Sequence, residues 1–262
     1  MNIVVCIKRV PETSESEIKV DESGKDIIKT RLTFDINESD NYALEEAILI
    51  KEKLGGTVTA ISCGSPDNDA TLRMAIAKGA DTAIRIDTAD LGEEVQPQID
   101  SFKIAQLLKT AISKLEFDII LTGCMAKDDG YSQVGQMVAE LLGIPHAALV
   151  TEIKIDAPKA RAKRELEAGL LEVLDITLPA LFTIQTGINE PRYASLIAIR
   201  RAAAKEIKIL KWNELGMQDT ELRATIESLF PPPIGKRAEI LQGTTDETAT
   251  KLTNIVKEKG LI

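Results

Sequence analysis

Up to residue 155 the chain alternates short apolar runs with longer segments in which apolar residues recur every three or four positions. Short apolar runs rich in β-branched residues are typical of strands buried on both faces, and the longer period is typical of amphipathic helices. The pattern predicts these elements: strands at 3–7, 57–62, 82–86, 117–122 and 147–155, and helices at 42–54, 71–78, 101–115 and 133–142.

The order of these elements indicates the fold class. Strands separated by helices are joined by right-handed crossovers, which produce a parallel sheet with helices on both faces. Asp40 or Asn41 is positioned to cap the helix at 42–54. We therefore predict an α/β fold with a doubly wound, mostly parallel sheet.

Beyond Pro158 the pattern becomes richer in strands, which are predicted at 162–168, 170–177, 180–185 and 208–212. After residue 212 the alternation is lost; three consecutive prolines at 231–233 exclude a helix there, and a final helix is predicted at 245–259. A polar tail with few apolar anchors is typical of a segment that lies across a partner. We predict an α/β nucleotide-binding domain at 1–212 and an extended C-terminal arm at 213–262.

Net charge, the length of the apolar runs and the cysteine spacing argue against several classes of function. The net charge of -9 argues against nucleic-acid binding, which needs a basic surface. No apolar run approaches the roughly 20 residues that cross a bilayer, so no direct membrane insertion is expected. Three cysteines without metal-ligand spacing suit a reducing compartment, so we expect a cytoplasmic protein without a metal site.

Three loops that follow predicted strands carry candidate binding chemistry: 8–11, 63–66 and 123–136. Ligands of open parallel sheets bind beyond the carboxyl ends of strands. In the third loop, backbone N–H groups at the start of a helix would favour an anion, while Gly130 permits a positive φ and Gly135 a close approach. The alternative is that Asp128 or Asp129 caps the helix and the glycines shape a surface turn.

More specific motifs lie further along the chain: RELEAG at 164–169, LPALFT at 178–183 and NEPRYASL at 189–196. With their spacing, they resemble the signature of electron transfer flavoprotein beta subunits. The segments VCIKRVP at 5–11, ALEEA at 43–47, DD at 128–129 and GQM at 135–137 also look like that family. The resemblance covers nearly the whole chain.

The resemblance implies a fold related to the adenine nucleotide alpha hydrolases and a heterodimer with an alpha subunit that carries a redox-active FAD. It implies an electron carrier without bond-making catalysis of its own. Such carriers serve acyl-CoA dehydrogenases or related flavoenzymes, as in fatty acid oxidation, and pass electrons to a membrane-bound quinone oxidoreductase. Most beta subunits also hold an AMP without redox chemistry. Matched by position, the nucleotide contacts would be Cys6, Asn37, Glu38, Ser39, Asp40, Cys63, Ala126, Asp128, Asp129, Gly130, Tyr131, Ser132, Gln133, Val134, Gly135, Gln136 and Met137.

Residues 189–201 match the loop with which the family docks onto a dehydrogenase, and Leu196 aligns with the leucine that enters an apolar pocket of the partner. The resemblance assigns docking to Pro191, Arg192, Tyr193, Leu196, Ile197, Arg200 and Arg201. Alternatively, Leu196 and Ile197 are core residues and Arg192 forms a structural salt bridge. Glu165 is the candidate contact for a cation on the mobile flavin domain of the alpha subunit.

Two departures from the family pattern keep alternatives open. A basic run after the docking loop is reduced here to RRAAAKE at 200–206, which indicates weaker electrostatic steering or a different partner. Residues 132–135 resemble electron-bifurcating members, which hold a second FAD and oxidise NADH, whereas Gln136 and Met137 resemble the AMP-binding members. A free-standing nucleotide-binding regulator is the third reading, although the docking loop and the arm both require a partner.

Overall fold

The structure is a computed structural model that describes residues 1–14, 17–30, 32–89, 99–215, 222–233, 235 and 238–262. The chain divides into two compact units, Met1–Leu229 and Phe230–Ile262.

The first unit contains all of the strands, and their bounds are β1 Asn2–Cys6, β2 Arg9–Pro11, β3 Phe34–Ile36, β4 Thr57–Gly64, β5 Thr82–Asp87, β6 Ile119–Gly123, β7 His146–Asp156, β8 Lys159–Glu165, β9 Leu171–Thr177, β10 Ala180–Ile184 and β11 Lys208–Lys211. Its helices are α1 Glu38–Leu54, α2 Asn68–Lys78, α3 Ser101–Ile112, α4 Val134–Leu142 and α5 Leu196–Ala203.

Nine of the described strands form one sheet in the order β11-β5-β4-β1-β6-β10-β7-β8-β9. All pairs from β11 to β7 are parallel, and β7, β8 and β9 continue the sheet as antiparallel neighbours. Strands β2 and β3 pair separately. The predicted α/β fold with a mostly parallel sheet and a strand-rich later portion is confirmed.

The strand order reverses beside β1, since the chain runs outward through β4 and β5 on one side and then crosses to β6 on the other. Both faces of the sheet are covered, as a doubly wound fold requires. Ile3 and Val5 of β1 point into the core beneath α1 and α2, whereas Val4 points into the core beneath α3 and α4. The uninterrupted apolar strands of the sequence follow from this burial on both faces.

Two predictions about helices were wrong. Helix α1 begins at Glu38, after Asn37, so neither Asp40 nor Asn41 caps it, and Asp40 is buried inside the first turn. Helix α5 was predicted as loop. It has only 8 residues and begins after Ser195, whose side chain accepts a hydrogen bond from the Ala198 N–H. So short a helix depends on packing against α2, which periodicity does not reveal.

Strand β8 lies at Lys159–Glu165 rather than at the predicted 162–168. Its sequence, KARAKRE, is polar at alternate positions because charged side chains on its exposed face pair with neighbouring strands. The prediction favoured the more apolar residues that follow and therefore placed the strand three positions too late.

The described residues of the second unit form one helix, α6 Thr245–Glu258. A capping box starts it: the Thr244 side chain accepts from the Glu247 N–H, and the Glu247 side chain accepts from the Thr244 N–H. The predicted helix at 245–259 is confirmed. Of the predicted arm, residues 216–221, 234, 236 and 237 lie outside the described residues. No helix in the described ranges has the length and apolar character to cross a membrane.

Candidate functional site

Asp40 joins the ends of the two strands beside which the strand order reverses. Its Oδ1 accepts a hydrogen bond from the backbone N–H of Gly123 at the end of β6, and its Oδ2 accepts from the N–H of Lys8 after β1, both at 2.8 Å. A Cβ on Gly123 would lie 2.3 Å from Asp40 Oδ1, so only glycine lets the carboxylate approach. Asp40 is therefore a structural bridge at the predicted ligand crevice.

Asn37 and Ser39 hold the loop that leaves β6. The Asn37 Nδ2 and the Ser39 Oγ donate to the carbonyl oxygen of Met125 at 2.8 and 2.6 Å, and the Asn37 Oδ1 accepts from the N–H of Lys127 at 3.0 Å. Both side chains are buried, whereas Glu38 is exposed. Their polar atoms are bonded to the backbone of this loop. Asn37 and Ser39 therefore fix the position of the loop that forms part of the predicted nucleotide site.

Cys6 and Cys63, the two cysteines predicted as nucleotide contacts, and the further Cys124 lie at or just beyond the carboxyl ends of β1, β4 and β6. Burial, and then the charge of Asp40, raises the pKa of Cys6 to about 12. Burial also raises the pKa of Cys63 and of Cys124 above the ordinary value. The three thiols are therefore protonated at neutral pH and present small neutral surfaces, not nucleophiles.

Three ion pairs tie the 124–133 loop to Lys8 and Glu12, on either side of β2. Lys8 Nζ lies 2.7 Å from Asp128 Oδ1 and 2.7 Å from Asp129 Oδ2, and Lys127 Nζ lies 2.8 Å from Glu12 Oε2. Burial alone would lower the pKa of Lys8, but the two aspartates outweigh it and raise it. Neither aspartate caps α4, which follows Gln133 without any side-chain cap, so the capping alternative was wrong.

The start of α4 offers unused hydrogen-bond donors. The backbone N–H groups of residues 132–136 find no acceptor within the part of the chain that the structure describes. Gly130 and Ser132 have positive φ, 68° and 54°, and turn the chain into the helix. The predicted positive φ of Gly130 is confirmed. This end of the helix suits a phosphate group, because its free donors and its dipole both favour an anion.

Close packing of α4 on the sheet fixes the direction of those donors. A Cβ on Gly135 would lie 2.6 Å from Thr183 Cγ2 and 2.7 Å from Thr122 Oγ1, so the predicted close approach is confirmed. Val134 and Met137 pack against the core between α3, α4 and the sheet, whereas Tyr131 is 61% exposed. The side chains of Val134 and Met137 are both partly buried, and the backbone N–H of Met137, unlike that of Val134, is already bonded to the Gln133 carbonyl oxygen at 3.1 Å.

The predicted docking segment presents apolar side chains to the surrounding water. Tyr193, Leu196 and Ile197 are 99, 76 and 63% exposed, so the alternative that Leu196 and Ile197 are core residues was wrong. Pro191 is partly buried, whereas Arg200 and Arg201 are exposed and make no ion pair with any described residue. The guanidinium of Arg192, by contrast, is bound by Glu45 and Glu52 of α1. This is the structural salt bridge that was the alternative to a docking role for Arg192.

Sequence comparison places the chain in a family. The profile of the electron transfer flavoprotein domain matches residues 26–215. The electron transfer flavoprotein beta subunit of Bacillus subtilis (strain 168) is 35% identical, with 100% of both chains aligned. The beta subunit of Thermoanaerobacterium thermosaccharolyticum is 36% identical over 100% of both chains, and that of Homo sapiens is 32% identical over 97% of this chain and 98% of its own.

The chain belongs to the electron transfer flavoprotein beta-subunit family. The membership predicted from the motifs at 164–169, 178–183 and 189–196 is confirmed, and with it a role in electron transfer.

In this beta subunit Glu165 lies at the end of β8, opposite Leu171 of β9. The residue is exposed, and its carboxylate forms no ion pair within the described ranges. The neighbouring Arg164 pairs instead with Glu172, at 2.6 Å between Nε and Oε2. Glu165 is thus accessible to a second polypeptide.

Sequence reasoning missed the side chains that support the docking segment from α1 and α2. Arg73 Nη1 donates to the carbonyl oxygens of Ala202, Ala203 and Lys205 at 3.0, 2.8 and 3.0 Å, at the end of α5. Lys78 Nζ donates to the Arg192 carbonyl oxygen at 3.0 Å. These partners lie more than one hundred positions apart in the sequence. The only signal was the ALEEA match at 43–47, which contains Glu45 but does not name its partner.

Proposed function

We propose that this beta subunit pairs with an FAD-carrying alpha subunit and carries electrons from an acyl-CoA dehydrogenase or a related flavoenzyme toward a membrane-bound quinone oxidoreductase. The observation that carries the proposal is the docking segment, where Leu196 stands 76% exposed at the start of a helix held to the domain by its neighbours. An exposed aliphatic anchor on an ordered segment is how a small, transient interface gains affinity.

The crevice beside β1 and β6 is the proposed site of a structural AMP. The unused N–H groups of residues 132–136 would hold the phosphate, and Ser132, Gln133 and Gln136 add neutral donors. The loop at 126–130 and the ends of β1 and β4 would contact the nucleoside. The AMP supplies no redox chemistry, so these residues bind and orient it. A second FAD is the alternative, favoured by the sequence of residues 132–135.

In this scheme the beta subunit makes and breaks no bonds. It presents the docking segment, and its residues 213–262 lie against the alpha subunit. Glu165, an exposed carboxylate without an ion pair in the described ranges, is the proposed contact for a cation on the flavin domain. Exposed Arg200 and Arg201 flank the anchor and would attract an acidic partner surface.

Substitution of the anchor tests the proposal. The heterodimer with Leu196→Ala should show an apparent KM for a reduced acyl-CoA dehydrogenase raised about tenfold or more, because a central anchor contributes upward of about 1.4 kcal/mol. The rate at saturating dehydrogenase should be nearly unchanged. Leu54→Ala, at a leucine 45% exposed at the end of α1, is the matched control and should leave KM unchanged. Equal KM values for wild type and Leu196→Ala would contradict the proposal.

A further inference from the structure

The docking segment is tied to α1 by a bidentate ion pair. Arg192 Nε and Nη2 lie 3.1 and 2.9 Å from Glu45 Oε1, and the backbone N–H of Arg192 donates to Glu45 Oε2 at 3.0 Å. The remaining side of the guanidinium faces Glu52, with Nη1 2.7 Å from its Oε1. Fork-to-carboxylate contacts fix direction as well as distance. Arg192 is thereby held in one orientation, four residues before Leu196.

The side chains of Asn189 and Lys78 fix the same segment at its start and at Arg192 itself. The Asn189 Nδ2 donates to the Tyr42 carbonyl oxygen at 3.1 Å and to Glu46 Oε2 at 3.0 Å. Lys78 Nζ donates to the Arg192 carbonyl oxygen at 3.0 Å and to Asn41 Oδ1 at 2.8 Å. The segment is therefore held at its start by α1 and at Arg192 by both α1 and α2.

The charges in this cluster are costly to bury. The Glu45 side chain is 6% exposed, and Glu46, next to it in the chain, is also buried. Burial raises the pKa of Glu46, and the charge of Glu45 adds to that effect. The hydrogen bonds that Arg192 donates to Glu52, and then those to Glu45, raise the pKa of Arg192 above its ordinary value. Arg192 is one-third exposed, so its pairing with the buried Glu45 adds little net stability over apolar packing, and the arrangement suits the fixing of geometry.

We propose that Glu45 and Arg192 are positioning residues for partner docking, which hold residues 189–196 so that Leu196 and Tyr193 stand exposed in a preformed arrangement. The inference rests on the proposed docking function. Its physical basis is preorganisation: an anchor on an already ordered segment loses less conformational entropy when it enters the partner's pocket. In this proposal the ALEEA segment at 43–47 supports the NEPRYASL segment at 189–196, because Glu45 of the first binds Arg192 of the second.

A double-mutant cycle separates positioning from simple stabilisation. In the complete heterodimer, Glu45→Gln should raise the apparent KM for a reduced acyl-CoA dehydrogenase about fivefold, with the rate at saturation within about twofold of wild type. In the Leu196→Ala background, the same Glu45→Gln change should raise KM by less than about twofold, because the anchor it positions is gone. An unchanged KM, or an equal factor in both backgrounds, would overturn the inference.

A second readout needs no dehydrogenase. Hydrogen exchange of the amides at 189–196 should accelerate several-fold in Glu45→Gln heterodimer, since the Arg192 N–H loses its carboxylate acceptor. Unchanged exchange there would overturn the inference. Arg192→Lys keeps the positive charge but loses the guanidinium that makes two contacts with Glu45, and it replaces Glu45→Gln if that variant does not fold. It should likewise accelerate exchange at 189–196 and raise KM.

The matched control is Asp175→Asn, which breaks another two-contact arginine pair, with Arg161, at 2.7 and 3.0 Å on the distant edge of the sheet. It should change neither KM nor exchange at 189–196. If Leu196→Ala itself leaves KM unchanged, the proposed function fails. If Leu196→Ala acts while Glu45→Gln does not, only the positioning inference fails.

Discussion

Asp40 is the residue at which the halves of the candidate nucleotide site meet. Its two carboxylate oxygens accept from the N–H groups of Lys8 and Gly123, so a single side chain sets the spacing of the loops after β1 and β6. Burial raises its pKa to about 7, although those two hydrogen bonds lower it. Both contacts are made by a group with almost no access to water.

Asp40→Asn should change the pH dependence of stability. The folded-state pKa of about 7 exceeds the ordinary value of 3.8, so the folded state binds a proton that the unfolded state releases. Stability from this group is therefore fully present below pH 3.8 and lost as pH rises to 7, at up to about 1.4 kcal/mol per pH unit.

The asparagine variant should be less stable at pH 5 by about 1–3 kcal/mol, because its NH₂ faces a backbone N–H. The difference from wild type should narrow between pH 5 and 7.5. Free energies of unfolding measured by denaturant titration at several pH values check this, and parallel curves would refute it.

Single residues were predicted unevenly from the sequence. The positive φ of Gly130 and the close packing of Gly135 followed from glycine's lack of a Cβ. The engagement of Asn37 and Ser39 by the loop at 125–127 did not, because it depends on contacts across more than 80 positions. The pairing of Lys8 with Asp128 and Asp129 was not predicted either, because these residues are also far apart in the sequence.

At the scale of elements, apolar strands and long amphipathic helices were predicted to within a few residues, because burial on both faces leaves a continuous apolar run. Helix α5 was missed because 8 residues are too few for a clear periodicity, and its apolar residues Leu196, Ile197 and Ile199 face outward. Surface helices usually bury their apolar side against the core. A helix that exposes this side instead is typical of a docking surface.

Helix α5 depends on Arg73, which binds three carbonyl oxygens at its end. Arg73→Gln should lower the free energy of unfolding by about 1–2 kcal/mol, since a half-buried helix end loses its donors. Amide exchange at 202–206 should accelerate at the same time. Arg161→Gln, which breaks an exposed pair, should cost less than about 1 kcal/mol. Equal exchange at 202–206 in all three proteins would show that Arg73 is dispensable.

At the scale of the whole molecule, charge is distributed unevenly. The chain carries a net charge of -9, yet the segment after the anchor presents Arg200, Arg201 and Lys205, followed by Glu206. A basic patch on an acidic protein orients the approach of an acidic partner, and Glu206 weakens that patch.

Glu206→Lys should strengthen steering. The association rate of the heterodimer with a reduced acyl-CoA dehydrogenase should rise about two- to fivefold at low ionic strength, because the substitution adds two units of positive charge beside the docking helix. The gain should vanish near about 0.5 M salt, where screening acts within a few ångströms. Stopped-flow measurements at several salt concentrations check this. A gain that persists in high salt would indicate a contact rather than steering.

The identity of the bound nucleotides tests the central claim most directly. The beta subunit is co-expressed with its alpha subunit, the purified complex is denatured with acid, and the released nucleotides are identified and counted by chromatography. A carrier whose α4 start holds a structural phosphate should release one FAD and one AMP per heterodimer. Two FAD and no AMP would contradict the carrier account and indicate an electron-bifurcating subunit that oxidises NADH.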